Sequence, residues 1–201
     1  MKYKFCVSGA AETEHCAADT KEKTIELAKE IVKHNGVLVT GATIGVPLWA
    51  AKGAKDADGF SIGISPAASE IEHVNKYKLP TENFDIIIFT GFGYSGRNLL
   101  LTRSADAVIV VCGRIGTLNE FTIAFEDHKP IGVLLDSGGA ADELKDIVEK
   151  CKRPNPKIIY ETDPKVLIDK LVDLIEKEKE DAEPNKPFDV QEHNRQQEKD
   201  Q

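Results

Sequence analysis

The stretch AVIVVCGRIGTLNE, residues 107–120, decides the fold of this 201-residue chain. It opens with an uninterrupted apolar run, passes two glycines and ends in a segment with helix-forming residues. An apolar run without alternation is typical of a strand that is covered by helices on both faces of a parallel sheet. The stretch therefore predicts a strand over residues 108–112, a tight turn, and a helix over residues 117–128.

Strand-like and helix-like segments alternate along the rest of the chain. Further strands are predicted at residues 5–7, 37–39, 61–64, 86–89, 131–135 and 157–160, and further helices at 20–33, 46–57, 96–105, 144–151 and 163–177. Alternation of this kind is typical of a parallel sheet with helices packed on both faces. We therefore expect one doubly wound α/β domain with a mostly parallel, Rossmann-like sheet over residues 1–177.

The composition changes after residue 177. Apart from two prolines, residues 178–201 contain only three apolar side chains, Ala182, Phe188 and Val190, among charged and amide residues. Such a segment buries too little apolar surface to offset the entropy lost on ordering. We therefore predict a disordered, charged tail over residues 178–201.

Charge and hydropathy narrow the classes of partner. The net charge of −8 disfavours binding to a nucleic-acid backbone. The apolar run at residues 107–112 is far shorter than the ~20 residues that a membrane helix needs. The N-terminus enters an apolar strand directly, without the apolar region and cleavage site of a signal peptide. We expect a cytoplasmic protein that binds neither membranes nor nucleic acid.

The cysteines and histidines show no pattern of ligand spacing. Cys6, Cys16, Cys112 and Cys151 form no CxxC pair, and Cys6 and Cys112 fall in apolar strands. We therefore expect reduced, buried or indifferent thiols and no metal site. The histidines share no motif and are expected at the surface: His15, His34, His73, His128 and His193.

The loops that follow the strands are the candidate binding site. In a doubly wound sheet, ligands bind outside the carboxyl ends of the strands, where the strand order reverses. Three such loops carry candidate phosphate-binding residues. They are Ser8 and Gly9 after the first strand, Gly41, Ala42, Thr43 and Gly45 after the second, and Gly113, Arg114, Gly116 and Thr117 after the strand at 108–112.

The turn at residues 113–117 carries the most specific signal. Gly113 and Gly116 let the backbone approach a ligand closely, and Thr117 stands at a helix start, where N–H groups and the helix dipole favour an anion. The turn at 41–45 has the same construction and is expected either to hold the other end of a nucleotide or to be a close helix–strand crossing. Neither turn matches the dinucleotide fingerprint or the P-loop.

The segments GRNLLLTRSADA (96–107) and GRIGTLNE (113–120) resemble the LOG family of lysine-decarboxylase-like Rossmann proteins and the related molybdenum-cofactor carrier proteins. That superfamily has a PGGxGTxxE motif and an arginine on the helix before the intervening strand. The resemblance extends from the first strand to about residue 130. It implies a Rossmann-like fold, a homodimer, and a nucleoside monophosphate or pterin nucleotide bound at these loops.

The resemblance also implies roles for individual residues. In the enzymatic branch, a nucleoside 5′-monophosphate is hydrolysed at its N-glycosidic bond to base and ribose 5-phosphate, with Glu120 as the catalytic carboxylate and Arg97 as its partner. Such a carboxylate stabilises the positive charge that builds up on the ribose. The alternative is that Glu120 only complements the helix dipole and that Arg97 is a solvated residue at a helix start.

The sequence departs from the family pattern in ways that leave the function open. Cys112 replaces the proline of the motif and Arg114 its second glycine, and Asn98 stands where the hydrolases have lysine. Arg114 and Asn98 are candidate ligand contacts, and both favour a non-catalytic carrier or sensor of a pterin (molybdenum) cofactor or a signalling nucleotide. No further cofactor is expected to be required. A third hypothesis is a scaffold with a degenerate pocket that acts through its tail.

Overall fold

The computed structural model describes residues 1–181. Within that range, seven strands and seven helices alternate along the chain. They are β1 (Lys4–Gly9), α1 (Thr20–Lys33), β2 (Val37–Thr40), α2 (Val46–Asp56), β3 (Ser61–Ser65), α3 (Glu70–Asn75), β4 (Ile86–Phe89), α4 (Gly93–Arg103), β5 (Ala107–Val111), α5 (Ile115–Glu126), β6 (Ile131–Leu134), α6 (Gly139–Lys150), β7 (Ile158–Glu161) and α7 (Pro164–Asp181).

The seven strands form one parallel sheet in the order β4-β3-β2-β1-β5-β6-β7. The chain builds outward from β1 to β4 and then returns to place β5 on the other side of β1. The strand order therefore reverses between β1 and β5, and a crevice opens beyond their carboxyl ends. The predicted doubly wound, Rossmann-like α/β fold is confirmed, and the sheet is wholly parallel.

Side chains of the central strands alternate between two apolar layers. Ile109 of β5 packs with α1, α2 and α7 on one face, whereas Val108 and Val110 pack with α4, α5 and α6 on the other. All five residues of β5 are buried. Burial of an aliphatic side chain contributes about 1.5–3 kcal/mol, so a strand covered on both faces needs the unbroken apolar run that the sequence supplies.

Helices α4 and α5 begin at residues 93 and 115, three and two residues before their predicted starts, and two other helices depart further from the prediction. The short helix α3 was not predicted, although Ser69 caps it and accepts a hydrogen bond from the Glu72 N–H (3.2 Å). Six residues are too few for a helical period to show in the sequence. Helix α6 begins at Gly139, five residues before the predicted start, because Gly138 and Gly139 adopt positive φ angles that shape its entry.

Residues 178–181, which begin the predicted tail, belong to helix α7. Helix α7 continues to Asp181, with Glu178 paired to Lys157 (2.6 Å) and the Lys179 ammonium 3.9 Å from the centre of the Tyr3 ring. These contacts tie a polar helix end to the domain without apolar burial. The rest of the predicted tail, residues 182–201, lies outside the described residues.

Two expectations for the sulfur and imidazole side chains are wrong. Cys16 and Cys112 form a disulfide across 96 residues of sequence, because the adjacent β1 and β5 bring their loops together. Cys6 and Cys151 are free, as expected. His73 is fully buried, with its ring nitrogens 2.8 Å from Ser65 Oγ and 2.9 Å from the Pro80 carbonyl oxygen. These two partners satisfy both ring nitrogens, so burial of the imidazole leaves neither nitrogen without a hydrogen-bond partner.

Within residues 1–181, no helix combines the length and the apolar character needed to cross a membrane.

Candidate functional site

A cleft of about 370 Å³ lies beyond the carboxyl ends of β1 and β5. Ligand pockets usually measure about 300–1,000 Å³, so this cleft suits a small ligand or part of a larger one. Its walls come from the loops after β1 and β2 and from the starts of α4 and α5. The lining residues are Gly9, Ala10, Ala11, Glu12, Thr43, Tyr94, Arg97, Asn98, Arg114, Gly116, Thr117 and Glu120.

A buried ion pair forms the floor of the cleft. Arg97 of α4 is 5% exposed and Glu120 of α5 is 6% exposed, and Arg97 Nη1 lies 3.2 Å from Glu120 Oε1. The Ser8 hydroxyl, at the end of β1, donates to Glu120 Oε2. The Asn98 amide nitrogen lies 2.8 Å from Glu120 Oε1. Three elements therefore converge on one carboxylate, and both of its oxygens already have partners.

Gly41 makes room for the arginine of this pair. A Cβ atom at Gly41 would lie 2.3 Å from Arg97 Nη1, so a side chain there would displace the guanidinium from its present position. Gly41, a ligand contact in the sequence-based prediction, lies against the Arg97 guanidinium in the structure. Arg97 Nε has no hydrogen-bond partner among the described residues, so one buried donor beside the cleft is unsatisfied.

Burial affects the protonation of Glu120, the carboxyl group on the floor of the cleft. Removal of the Glu120 carboxyl from water raises its pKa above the usual glutamate range, and the nearby Arg97 charge and the Ser8 hydrogen bond offset this only in part. A carboxyl in this environment can retain a proton more readily than an exposed one.

The turn from β5 into α5 forms the wall expected to bind an anion. Cys112 (φ +52°) and Gly113 (φ +96°) adopt left-handed conformations, and a Cβ atom at Gly113 would lie 2.5 Å from Thr117 Cβ. No side chain caps the start of α5. The first N–H groups of a helix need an external partner. A Cβ atom at Gly116 would meet no atom within 4 Å, so the cleft is open at this residue.

An ion pair spans the rim of the cleft. Arg114 at the start of α5 pairs with Glu12, which follows β1, and both side chains are exposed. Arg114 is therefore a positively charged group with a replaceable partner. A ligand phosphate would compete with the Glu12 carboxylate for the same guanidinium, which binds either anion through paired N–H donors.

Some of the predicted site residues line the cleft, and the others lie outside it. Eight of them line the cleft: Gly9, Thr43, Arg97, Asn98, Arg114, Gly116, Thr117 and Glu120. Five do not: Ser8, Gly41, Ala42, Gly45 and Gly113. Ser8 and Gly41 support the ion pair from behind, and Gly113 shapes the turn. Ala42 is fully buried, and a Cβ atom at Gly45 would collide with the Ala10 and Ala11 carbonyl oxygens. Gly45 therefore lets the start of α2 pack closely against the loop after β1.

Sequence reasoning missed four lining residues, Ala10, Ala11, Glu12 and Tyr94. The first three continue the loop after β1, and their place in the chain, directly after Ser8 and Gly9, was the available signal. Tyr94 lies one turn of α4 before Asn98, and no motif marks it. Its phenol is partly exposed, and burial of the rest raises its pKa.

Comparisons with known proteins identify the family of this chain. The model of the SLOG cluster4 family matches residues 2–168. The chain belongs to the SLOG cluster4 family. An uncharacterized protein of Archaeoglobus fulgidus is 33% identical to this SLOG cluster4 chain over 128 residues, which are 64% of this chain and 77% of the relative.

Two solved structures similar to this SLOG cluster4 chain are cofactor proteins. The molybdenum cofactor binding protein from Rippkaea orientalis is 27% identical, with a TM-score of 0.69 over 87% of this chain and 98% of its own. The molybdenum cofactor carrier protein from Chlamydomonas reinhardtii is also 27% identical, with a TM-score of 0.69 over 88% of this chain and 99% of its own. The resemblance predicted from the sequence is confirmed at the level of the superfamily that includes SLOG proteins and molybdenum cofactor carrier proteins.

The raised pKa of Glu120 predicts a pH dependence of stability. A group whose pKa is raised on folding stabilises the native state fully below its unfolded pKa, and that contribution is lost as the pH rises through the folded value. We expect the free energy of unfolding of the wild type, minus that of Glu120→Gln, to fall as the pH rises above about 4. Urea titrations over a pH series measure this difference.

Glu12→Gln, which removes an exposed carboxylate from the rim of the same cleft, controls for the loss of one charge. A difference that grows with pH would mean that pairing with Arg97 outweighs burial and would contradict the account.

Proposed function

We propose that this chain binds and carries a phosphate-bearing pterin cofactor of the molybdenum-cofactor class in the cleft between β1 and β5. The observation that carries the proposal is the uncapped start of α5, which faces the cleft at Gly116, where a side chain would meet no atom. Unpaired N–H groups at a helix start bind phosphate, and the missing side chain lets it approach.

The residues around this start fit such a ligand. The unsatisfied Arg97 Nε adds a buried donor beside the anion position. Arg114 adds a charge at the rim once Glu12 is displaced. Tyr94 adds a partly exposed aromatic ring to the lining of the cleft, against which a flat heterocycle can stack. The cofactor is cargo in this proposal, and the chain needs no chemistry of its own to carry it.

The similarity to two proteins named for the molybdenum cofactor supports the pterin class. Both align over nearly their whole length, so the comparison includes the strands and loops that build the cleft. Asn98 supports assignment to the carrier branch of the superfamily. Its amide contacts Glu120 and, unlike the lysine that the hydrolases have at this position, adds no second positive charge to the floor of the cleft.

Hydrolysis of a nucleoside 5′-monophosphate is the second candidate function. The observation that favours it is the Glu120–Arg97 pair on the floor of the cleft, since an ionised carboxylate stabilises the charge that develops on a ribose. Against it, both oxygens of Glu120 are engaged by Ser8, Arg97 and Asn98, and burial raises its pKa. We therefore rank carriage above hydrolysis.

A binding panel separates the two functions. We expect molybdenum cofactor released from a molybdoenzyme to raise the melting temperature and to be recovered unchanged after incubation with the full chain. A ligand at 100 times its dissociation constant stabilises a protein by about 2.7 kcal/mol, which thermal denaturation detects. Arg114→Ala should weaken this stabilisation. Arg153→Ala, which removes an exposed arginine outside the cleft, should not.

Nucleoside 5′-monophosphates form the second arm of the panel. Stabilisation by a monophosphate followed by release of ribose 5-phosphate, abolished in Glu120→Gln, would overturn carriage in favour of hydrolysis. No stabilisation by either class would overturn both proposals.

We also propose that two copies of the chain associate through the β4 edge of the sheet and α4. Nothing among the described residues pairs with the outer side of β4, and Ile86 and Ile88 on it are about half exposed. Phe92, which precedes α4, and Leu99 and Leu100 of α4 are further exposed apolar side chains. A large exposed apolar surface next to a free strand edge is typical of an association site.

Sedimentation velocity tests the association. We expect a dimer at micromolar concentration and a monomer for Leu100→Glu, because a charge at the centre of an apolar interface is costly to bury. Leu100 is 41% exposed and Val166 on α7 is 38% exposed, so Val166→Glu is a matched control that should stay dimeric. A monomeric wild type would contradict the proposal.

A further inference from the structure

Three potential metal ligands meet behind the turn that enters α5. They are the sulfurs of Cys16 and Cys112 and a ring nitrogen of His15, and these atoms all lie within 4.8 Å of one another. His15 and Cys16 follow β1, and Cys112 ends β5, so the same strand adjacency that builds the cleft builds this cluster. None of the three residues lines the cleft.

The backbone around the cluster is closely fitted. Cys16 forms an antiparallel bridge with Gly138, and His15 Nε2 lies 3.2 Å from the Gly113 carbonyl oxygen. Gly139 adopts a positive φ angle. A Cβ atom there would lie 3.0 Å from His15 Cδ2 and 3.1 Å from Cys112 Sγ. Two glycines therefore let the α6 entry pack against the three side chains and keep them together.

Burial is graded across the cluster. Cys112 is fully buried, Cys16 is partly buried and His15 is exposed. An ion or a reductant can therefore approach from the His15 side, while the opposite side is closed by the protein. This arrangement leaves one coordination position open to water, as in zinc sites with three protein ligands.

We propose that the reduced chain binds one thiophilic metal ion, Zn²⁺ or a similar ion, through Cys16, Cys112 and His15, and that the disulfide is the oxidised, metal-free form of the same site. Two thiolates and an imidazole are ligands that Zn²⁺ prefers, at about 2.3 Å for sulfur and 2.0–2.1 Å for nitrogen. Two sulfurs on a tetrahedral ion are about 3.8 Å apart, so the cluster needs only side-chain adjustment.

The interconversion balances with a dithiol reductant. The reductant gives two electrons and two protons to the Cys16–Cys112 bond, which breaks into two thiols, and the reductant becomes a disulfide. On metal binding, each thiol loses its proton to solvent and each sulfur donates an electron pair to the ion. In the reverse direction a disulfide oxidant takes two electrons from the two thiolates and two protons from solvent and becomes a dithiol, while the Cys16–Cys112 bond forms again and the ion is released.

Metal titration of the full chain tests the proposal directly. The chain is reduced with a phosphine under anaerobic conditions, freed of reductant, and titrated with Co²⁺ as a spectroscopic substitute for Zn²⁺. We expect one equivalent to bind, with thiolate-to-cobalt charge-transfer absorption that Zn²⁺ abolishes by displacement. The oxidised chain should show no such absorption.

Variants assign the ligands. Cys16→Ser and Cys112→Ser should lose the charge-transfer band. His15→Gln, at an exposed side chain, should weaken Co²⁺ affinity by at least about tenfold, since even outer-shell partners contribute about 10–100-fold. Cys151→Ser and His128→Gln remove an exposed thiol and an exposed imidazole elsewhere and should bind as the wild type does.

Two results would overturn the proposal. One is a reduced wild type that is folded by circular dichroism yet binds no Co²⁺, which would make the pair a structural disulfide only. The other is unchanged binding in both Cys16→Ser and His15→Gln, which would place the metal elsewhere. The proposal does not depend on the ligand of the cleft, so neither result bears on the proposed carriage.

Discussion

The parallel pairing of β1 with β5 is the constraint on which the rest of the molecule depends. Its register sets Ser8 opposite Val110 and Gly9 opposite Val111, so the loops after both strands begin side by side. One pairing thereby brings Ser8 to Glu120 on the cleft side and aligns the two half-cystines behind it. Because both strands are buried on both faces, this register cannot shift without exposing apolar side chains or burying polar ones. The packing of these two buried strands therefore sets the geometry of the cleft.

Much of the fold could be predicted from the sequence, because its elements are local patterns. The helix at 20–33 and the strand at 86–89 have the predicted bounds, since each is long or apolar enough to show its period and is bounded by turn residues. Helix α3 and the start of α6 were missed because their causes are a cap and two positive-φ glycines, which act over a few residues. The end of α7 was missed because ion pairs and a cation–π contact hold it, and composition does not reveal such contacts.

The site residues also divide into those that a local sequence pattern reveals and those that only the tertiary structure reveals. The segment Gly116–Thr117 could be singled out because its residues are contiguous in the sequence, although it lies in the first turn of α5 and not before the helix. The role of Gly41 could not, because Arg97, the side chain that it makes room for, comes 56 positions later and reaches it only through the fold. The disulfide was likewise hidden, since neither half lies in a spaced motif. Residues that touch the ligand can therefore be proposed from a motif, whereas residues that hold those residues in place need the tertiary structure.

The central claim is that a phosphate-bearing ligand sits against Gly116 at the start of α5, and a single substitution tests it. Gly116→Leu adds a side chain at a residue that lines the cleft, and its Cβ atom would meet no atom within 4 Å. Because leucine is a better helix former than glycine, stability should match or exceed that of the wild type by up to about 1 kcal/mol. The measurement is calorimetric binding of the molybdenum cofactor to wild type and variant. The account predicts a folded variant with at least a tenfold (about 1.4 kcal/mol) loss of affinity. Unchanged affinity in a folded variant would contradict it and would place the ligand elsewhere on the molecule.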